Sequence, residues 1–415
     1  MALRRTLYII IGGLVLLIAA AGTLLAWALL SRPAPQPIGL VLVGADSRMQ
    51  LLTDGETSAR VLAGNVNDDD YRFPAVAPDG RQIAYVAGSP PNLAIMRLDL
   101  RTGAQTELFR TSVNQPFALA WSPDGKYISF LLASADGLTT HLVPADGSGP
   151  AQLITTGSSS YIAWDRQSRT LLLHVDGHAV TGGRLETYTP GRGPSQPILS
   201  DPGLFQAPAW ALDGDHIYYV AQPPIAKARP TIEDIESRIV RASRDGKEVK
   251  LLANEKVADV RLARSPTSDQ IAYVAAQPVA GGSVAGTLKL VDGNGGEPRI
   301  LSRGDEQVTS FFWSPDGQRI AYLTQDDPAP DGKRTWHTVE VADGAVRELA
   351  SFMPSPAVVG LQRFFDAFLF SFSPWSPDGQ RLAYGTADGV YVLDLRTGQP
   401  TRAGDGDLAI WVGGR

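Results

Sequence analysis

Cysteine is absent from the sequence, which removes disulfides, thiolate nucleophiles and Cys-ligated zinc or iron–sulfur sites from consideration. The absence fixes no compartment, because a protein outside the cytoplasm also benefits from lacking thiols that mispair. Charge is scarce as well: charged residues make up 19% of the chain and the net charge is −6. Beyond the first 30 residues, whose only charged groups are Arg4 and Arg5, 35 bases face 43 acids. A chain of that sign lacks the basic footprint of a nucleic-acid binder. No Gly-x-Ser-x-Gly nucleophile elbow occurs, which leaves a serine-hydrolase reading without its nucleophile. Gly281-Gly282-Ser283 and Gly293-Asn294-Gly295-Gly296 sit in strand hairpins, with neither the helix nor the lysine of a phosphate-binding loop. What is plentiful is Gly (42) and Pro (30) beside 44% apolar residues, a mixture that suits short strands joined by tight turns.

One uncharged run stands apart. From Leu7 to Leu30 there is no charged residue, and as a helix the run measures about 36 Å, enough to cross a hydrocarbon core of about 30 Å. It is expected to be a transmembrane helix. Arg4 and Arg5 precede it and only Arg32 follows closely, so the N-terminus is placed in the cytoplasm and the body outside, periplasmic or extracellular. The competing reading, a signal peptide cleaved after Ala26-Trp27-Ala28, suits the run less well, because it exceeds the apolar stretch of about 7 to 15 residues that such peptides carry. Arg32-Pro33-Ala34-Pro35-Gln36-Pro37 then reads as a short polyproline stalk. The domain plan is therefore a cytoplasmic tip and anchor over 1–30, a stalk over 31–37 and a folded body over 38–415.

Internal repetition dominates that body. Trp121-Ser122-Pro123-Asp124-Gly125 recurs as Trp313-Ser314-Pro315-Asp316-Gly317 and as Trp375-Ser376-Pro377-Asp378-Gly379, each followed by an apolar strand: Ile128 to Leu131, Ile320 to Leu323 and Leu382 to Tyr384. Weaker copies keep the offset from the first motif position to the apolar one, pairing Val76 with Ile83, Trp164 with Leu171, Trp210 with Ile217 and Arg264 with Ile271. After each comes a hairpin, as in Val390 to Gln399. Four short strands per unit at a spacing of about 44 to 60 residues predict propeller blades, since one small sheet cannot bury both faces until neighbours stack around a ring.

The motif resembles the WD40-like repeat of the TolB family, and the resemblance covers nearly everything after residue 38. It implies an all-β fold, a single β-propeller. It implies no particular activity, because similar repeats serve peptidase propellers, polysaccharide lyases and many envelope proteins. TolB carries a separate α/β domain ahead of its propeller, whereas here the stalk leads directly to a strand, so TolB's partner is not carried over.

The chain ends resemble fragments of one more repeat. Leu408 to Val412 matches a first strand, with Trp411 in the motif position, while Gly39 to Gly44, Met49 to Thr53 and Ala59 to Ala63 supply a second, third and fourth. The expectation is eight four-stranded blades, with seven as the alternative, the last blade closing the ring through both termini.

Strand direction then sorts the loops. Turns between first and second strands and between third and fourth strands fall on one face and are short, as at Asp54-Gly55, Asp79-Gly80, Asp124-Gly125 and Asp245-Gly246. The opposite face receives the long connections Gly64 to Arg72, Gln222 to Ser237, Gln325 to Thr335 and Ser351 to Ala367, which makes it the candidate binding face. Because the stalk enters at the start of a second strand, that face is expected to point away from the membrane.

Candidate chemistry is thin. Asn65-Val66-Asn67-Asp68-Asp69-Asp70 gathers oxygen ligands but lacks the glycine and closing glutamate of an EF-hand loop, so Asp68, Asp69 and Asp70 read as a solvated acidic loop or a contact for a basic partner rather than a metal site. The recurrent motif Asp reads as turn chemistry. His174 and His178 follow the strand Leu171 to Leu173 and flank Asp176-Gly177, which reads as a turn pair, since no Glu completes a zincin motif. His141, His216 and His337 are scattered. Arg363-Phe364-Phe365-Asp366, ahead of the seventh blade, is the preferred partner contact: Phe364 and Phe365 beside Arg363 either anchor a partner or plug the central opening. Phe368, Phe370 and Phe372 alternate and are assigned to strand and core. No cofactor or metal is expected. The functional expectation is a binding or scaffolding module, not an enzyme, whose partner is a protein or an envelope glycan. The alternative is a hydrolase or lyase acting on polysaccharide, which requires several of Asp68, Asp69, Asp70, His174, His178, Asp326 and Asp327 to converge at the channel mouth.

Overall fold

The computed structural model divides into two compact units, 1–36 and 37–415. It describes residues 37–414 apart from 45–47, 57, 64–70, 136, 177–182, 199–200, 204–205, 223–234, 258, 280–283, 327–328, 330 and 364–371. The expected membrane helix and nearly all of the stalk thus lie outside the described residues. Among the described residues no helix is long and apolar enough to cross a membrane.

The second unit is built from short antiparallel strands in consecutive sheets. The strands Tyr71–Val76, Gln82–Ala87, Leu93–Asp99 and Gln105–Thr111 form one four-stranded sheet in chain order, and Phe117–Trp121, Tyr127–Ser134, Gly137–Pro144 and Gln152–Gly157 form the next. The same order holds through Ser159–Ile198 and Ala209–Glu255. The following two repeats, from Asp259 to Phe352, merge into one eight-stranded sheet through the single pair Gly286↔Val308. Gly286 also passes close to the neighbouring strand of its own half, where a Cβ would meet the Ala275 carbonyl oxygen at 1.9 Å.

The motif offset has a simple structural meaning. It makes the motif residue the cross-strand partner of the first apolar residue of the second strand. Val76 faces Ile83, Trp121 faces Ile128, Trp164 faces Leu171, Trp210 faces Ile217, Arg264 faces Ile271 and Trp313 faces Ile320. In the seventh repeat the pairing reduces to the bridge Trp375↔Leu382, beside the three-stranded sheet Arg381–Thr386, Gly389–Asp394 and Gln399–Gly404. The strand expected through Phe368 and Phe370 lies outside the described residues, while Phe372 packs edge-on against Phe312 with ring centroids 6.1 Å apart.

The termini meet as the repeats require. Leu408–Val412 pairs with Gly39–Val43, which continues to Met49–Thr53 and Arg60–Ala63. Trp411 faces Leu40, so the composite sheet keeps the common register. Leu408–Val412 also packs beside both Tyr71–Val76 and Arg381–Thr386, the strands on either side of it.

Adjacent repeats are stapled by the motif tryptophan. Its indole N–H donates to a carbonyl of the preceding repeat, always at the residue before that repeat's own motif position: Trp121 to Ala75, Trp210 to Ala163, Trp313 to Ala263, Trp375 to Phe312 and Trp411 to Pro374, at 2.8–3.1 Å. Where arginine replaces tryptophan, the staple survives in altered form, because Arg264 Nε donates to the Trp210 carbonyl at 2.6 Å. Trp164 is the exception. Its indole nitrogen has no partner, the Ala120 carbonyl it would use accepts the Ser129 hydroxyl instead, and its ring stacks on Tyr127. Arginines cover several of these rings, Arg319 over Trp375 and Arg381 over Trp411 at 5.3 and 4.8 Å. Arg381 also holds Asp54 with two 2.7 Å bonds, latching the seventh repeat to the composite sheet.

The motif aspartates do turn chemistry. Asp124 accepts from the Ser122 hydroxyl and the Lys126 amide, while Ser122 Oγ accepts from the Tyr127 amide. Asp316 with Ser314 and Asp378 with Ser376 repeat the arrangement, and Gly125, Gly317 and Gly379 supply the positive φ that closes each turn. Partial burial pushes these carboxyls up, but the serine hydroxyl, the backbone amide and a neighbouring cation outweigh it, and all three sit below the ordinary aspartate pKa. Their contribution is therefore complete above the unfolded-state pKa and lost as pH falls through the depressed one. The triple variant Ser122→Ala/Ser314→Ala/Ser376→Ala removes the hydroxyl donors and is expected to lose about 1 kcal/mol per site at neutral pH, with a shallower further loss on acidification. Urea melts along a descending pH series check this; an unchanged acid limb counts against it.

Candidate partner-binding surface

The face on which first strands begin is where the described structure departs from plain repeats. The sequence reading expected an irregular loop from Ser351 to Ala367. Instead Ser351 and Phe352 finish the strand Val346–Phe352, and a helix, α1, spans Pro356–Arg363. The signal for it was present but brief: Ser355 caps the helix, its hydroxyl accepting from the Val358 amide at 3.2 Å, and Pro356 takes the first helical position. Two turns carry too little periodicity to stand out between strands.

Both ends of α1 are tied down. At its start the Ser355 hydroxyl donates to the Asp407 carbonyl, just before Leu408–Val412. This close passage demands glycine at 385, where a Cβ would lie 1.9 Å from the Asp407 oxygen. At its end the Gln362 carbonyl accepts from Arg261 Nη1 at 3.3 Å, a cation placed at a helix C-terminus. Arg261 also reaches the Thr309 carbonyl and lies 3.4 Å from Asp259, whose carboxyl is raised by burial against the pull of that arginine. Arg334, only 1% exposed, donates to the Gly332 carbonyl and to Gln362 Oε1. The end of the helix is thus tied to the strands Asp259–Arg264 and Arg334–Glu340, and the helix packs beside Arg381–Thr386. Beneath it opens a small apolar recess whose walls include Phe312, Leu323, Trp336, Leu361, Phe372 and Tyr384.

Of the predicted contact residues, Arg363 is the last residue of α1. Phe364, Phe365 and Asp366 follow it outside the described residues, as do Asp68, Asp69, Asp70, His178 and Asp327. His174 requires correction. The strand expected to stop at Leu173 runs to Asp176, so His174 is a strand residue, 1% exposed, and not part of a turn. Its Nδ1 donates to the Gln206 carbonyl at 2.6 Å and its Nε2 lies 2.9 Å from Asp176 Oδ1. Asp326 directly follows the strand Arg319–Gln325 of a different sheet and accepts from the hydroxyls of Thr324 and Thr335. Among the described residues no group of three or more His, Asp or Glu is placed to hold a metal ion.

The scattered histidines have an order visible only in register. His141 faces Phe130 and His337 faces Tyr322 across neighbouring strands, and both pairs stack, with centroids 5.2 and 4.9 Å apart. They are cross-strand packing partners. Burial lowers the pKa of both, and for His337 the nearby Glu306 works in the opposite direction. Arg261, Arg334 and Gln362 were not picked out from sequence, since single residues off the repeat pattern carry no local signal.

No family model matches the chain. Over 97 residues it is 37% identical to the Tol-Pal system protein TolB of Xanthomonas campestris pv. campestris strain B100, a stretch covering 23% of this chain and 20% of that protein, and the strain 8004 protein gives the same figures. The match spans about a fifth of the length of these relatives. Among solved structures, dipeptidyl peptidase 4 of Porphyromonas gingivalis superposes with a TM-score of 0.55 at 12% identity, covering 91% of this chain and 60% of that one. A eukaryotic initiation factor superposes with a TM-score of 0.53 at 12% identity, covering 91% and 98%. The fold is a β-propeller. At such identities the structural likeness speaks for fold alone, and the sequence likeness is to TolB.

Proposed function

We propose that this chain is an extracytoplasmic, TolB-like propeller of eight blades that works as a binding and scaffolding module and not as an enzyme, held to the membrane by an uncleaved helix over Leu7 to Leu30 with a cytoplasmic N-terminus. The observation that carries the reading is the difference between the two faces. Among the described residues one face has short connections, with tight turns such as Asp124-Gly125, Asp316-Gly317 and Asp378-Gly379, whereas the other holds α1 and receives the long connections expected from the sequence. The body begins at Pro37, beside the short-turn face, which supports the built-up face pointing away from the membrane. Its partner is a protein of the cell envelope, in keeping with the likeness to a Tol-Pal system component, and an envelope glycan is the alternative occupant. Arg363, Phe364, Phe365 and Asp366, continuing directly from α1, are the proposed anchor, with Asp68, Asp69 and Asp70 as a second contact.

The test is a double variant of the full chain, Phe364→Ala/Phe365→Ala, used as bait in envelope extracts and followed in parallel by thermal melting. An exposed anchor predicts that capture of the partner falls by about 2 kcal/mol or more at unchanged melting temperature. Residues that plug the ring predict the reverse, a loss of roughly 3 kcal/mol or more of stability per buried Phe, with binding affected only through unfolding. A variant normal in both respects removes these residues from the proposal.

A further inference from the structure

We propose that His337 and Glu306 form a proton-operated joint in the sixth repeat, in which the imidazole takes up a proton at Nδ1 directed at Glu306 Oε1. The fifth repeat holds the same joint with a permanent charge. There Glu255, arriving from the preceding repeat, accepts from the Tyr273 hydroxyl at 2.8 Å and from Lys289 Nζ at 2.8 and 2.9 Å, and Lys289 is the cross-strand partner of Tyr273. In the sixth repeat Glu306, in the segment leading into Val308–Trp313, accepts from the Tyr322 hydroxyl at 2.8 Å, and the cross-strand partner of Tyr322 is His337. Both tyrosines stand two residues beyond the isoleucine that faces the motif position, Ile271 and Ile320. His337 therefore occupies the lysine's place, but it carries the charge only when protonated.

The hydrogen bonds around the ring fix where that proton goes. Asp326 accepts from the hydroxyls of Thr324 and Thr335, so the Thr324 hydrogen is committed and its oxygen, 3.2 Å from His337 Nε2, is left to accept from the ring. The neutral imidazole thus carries its hydrogen on Nε2. Its bare Nδ1, which has no hydrogen-bond partner among the described residues, faces Glu306 Oε1 at 3.5 Å, and both side chains are largely buried. A second proton at Nδ1 converts a lone pair facing a carboxylate into a charge-assisted donor. The charged and titratable groups around the ring are Glu306 and Arg303 from the incoming segment, Tyr322 from the second strand, Asp326 just after it and Glu348 from the fourth strand. Burial holds the imidazole below the ordinary histidine range and Arg303 adds to that, while Glu306, Glu348 and Asp326 pull it back up. Because the folded chain binds this proton less readily than the unfolded one, the neutral ring's contribution to stability is complete above the unfolded-state pKa and is lost as pH falls through the lowered one. Proton uptake in acid therefore forms the pair with Glu306 at some cost to overall stability.

The test uses the full-length chain in lipid nanodiscs, labelled with ¹⁵N at the histidine rings, with the His337 signals assigned by their loss in His337→Gln. At high pH the neutral ring is expected to carry its hydrogen on Nε2, and on acidification Nδ1 gains the second one. Glu306→Gln is expected to move the His337 midpoint to lower pH, because the carboxylate that favours the imidazolium is gone, while His141, which stacks on Phe130 and pairs with Thr139, keeps its midpoint. Urea melts along the same pH series are expected to show a smaller acid loss of stability for His337→Gln than for the parent. A ring that only packs on Tyr322 would titrate identically in Glu306→Gln, and that result overturns the proposal. So does a neutral ring with its hydrogen on Nδ1, a reading that needs no Glu306 variant to fold, and so does an equal acid loss in His337→Gln and the parent.

Discussion

A chain ending at Asp407 is expected to lose its cooperative fold. Residues 408–412 lie at the end of the chain, and as the repeat register predicted they form the first strand of the composite sheet, bonded along their length to Gly39–Val43. Ala409, Ile410, Trp411 and Val412 are all buried. At about 1.5–3 kcal/mol per large apolar side chain withdrawn from water, their loss alone is worth roughly 5–8 kcal/mol, which is comparable to the whole stability of an ordinary domain, about 5–15 kcal/mol. The deletion also removes the Trp411 staple to Pro374, strips the ring that Arg381 covers, and leaves Gly39–Val43 with an open edge facing the interior. Circular dichroism melts and limited proteolysis of the truncated protein check the expectation. A cooperative transition within about two degrees of the parent would show that the termini do not close the structure.

Trp375→Ala should be the most damaging single substitution in the repeat core. Trp375 is 3% exposed within the largest apolar cluster among the described residues, which also holds Phe312, Ile320, Trp336 and Leu382. Its indole donates to the Phe312 carbonyl at 2.9 Å and carries Arg319 above its ring. Truncating a buried tryptophan costs about 3–5 kcal/mol through lost burial and the cavity left behind, and the loss of the indole hydrogen bond to the Phe312 carbonyl adds to that. Trp375→Phe divides the two contributions, since it keeps most of the ring but not the donor, and a loss nearer 1–2 kcal/mol is expected. Equal losses for the two substitutions in denaturant titrations would mean that the indole N–H matters more than packing.

These effects explain which parts of the molecule were legible beforehand. The repeat could be read because two physical demands recur: a tight turn after the first strand and, in most repeats, a residue that reaches the preceding one. The Ser-Pro-Asp-Gly stretch meets the first demand, with Ser122, Asp124 and Gly125 each in a definite place. The tryptophan meets the second. The composite sheet was legible for the same reason, since Trp411 stands in the motif position of a strand that lacks the rest of its repeat. Register even survived the change of residue at Arg264, because the offset to Ile271 reflects cross-strand pairing and does not depend on the side chain.

The candidate site was legible only as a location. Strand direction indicated which face receives long connections, but α1 is held by contacts with partners distant in sequence: Ser355 with Asp407, Gln362 with Arg261 and Arg334. None of these residues repeats, so none announces itself. His174 was misplaced by a boundary error, as the strand carrying it continues three residues beyond its apolar run and buries a polar side chain that finds its partner at Gln206.

By itself, then, the sequence determined what is periodic and local: strand positions, turn chemistry, the motif register and the sharing of one sheet between the chain ends. Tertiary structure decided what depends on a single encounter, namely the anchoring of α1 by Asp407, Arg261 and Arg334 and the stacking of His141 and His337 on their cross-strand partners. The physical reason is that a repeat states its requirement many times along the chain, whereas a site built from unrepeated residues exists only once the folded backbone has brought them together.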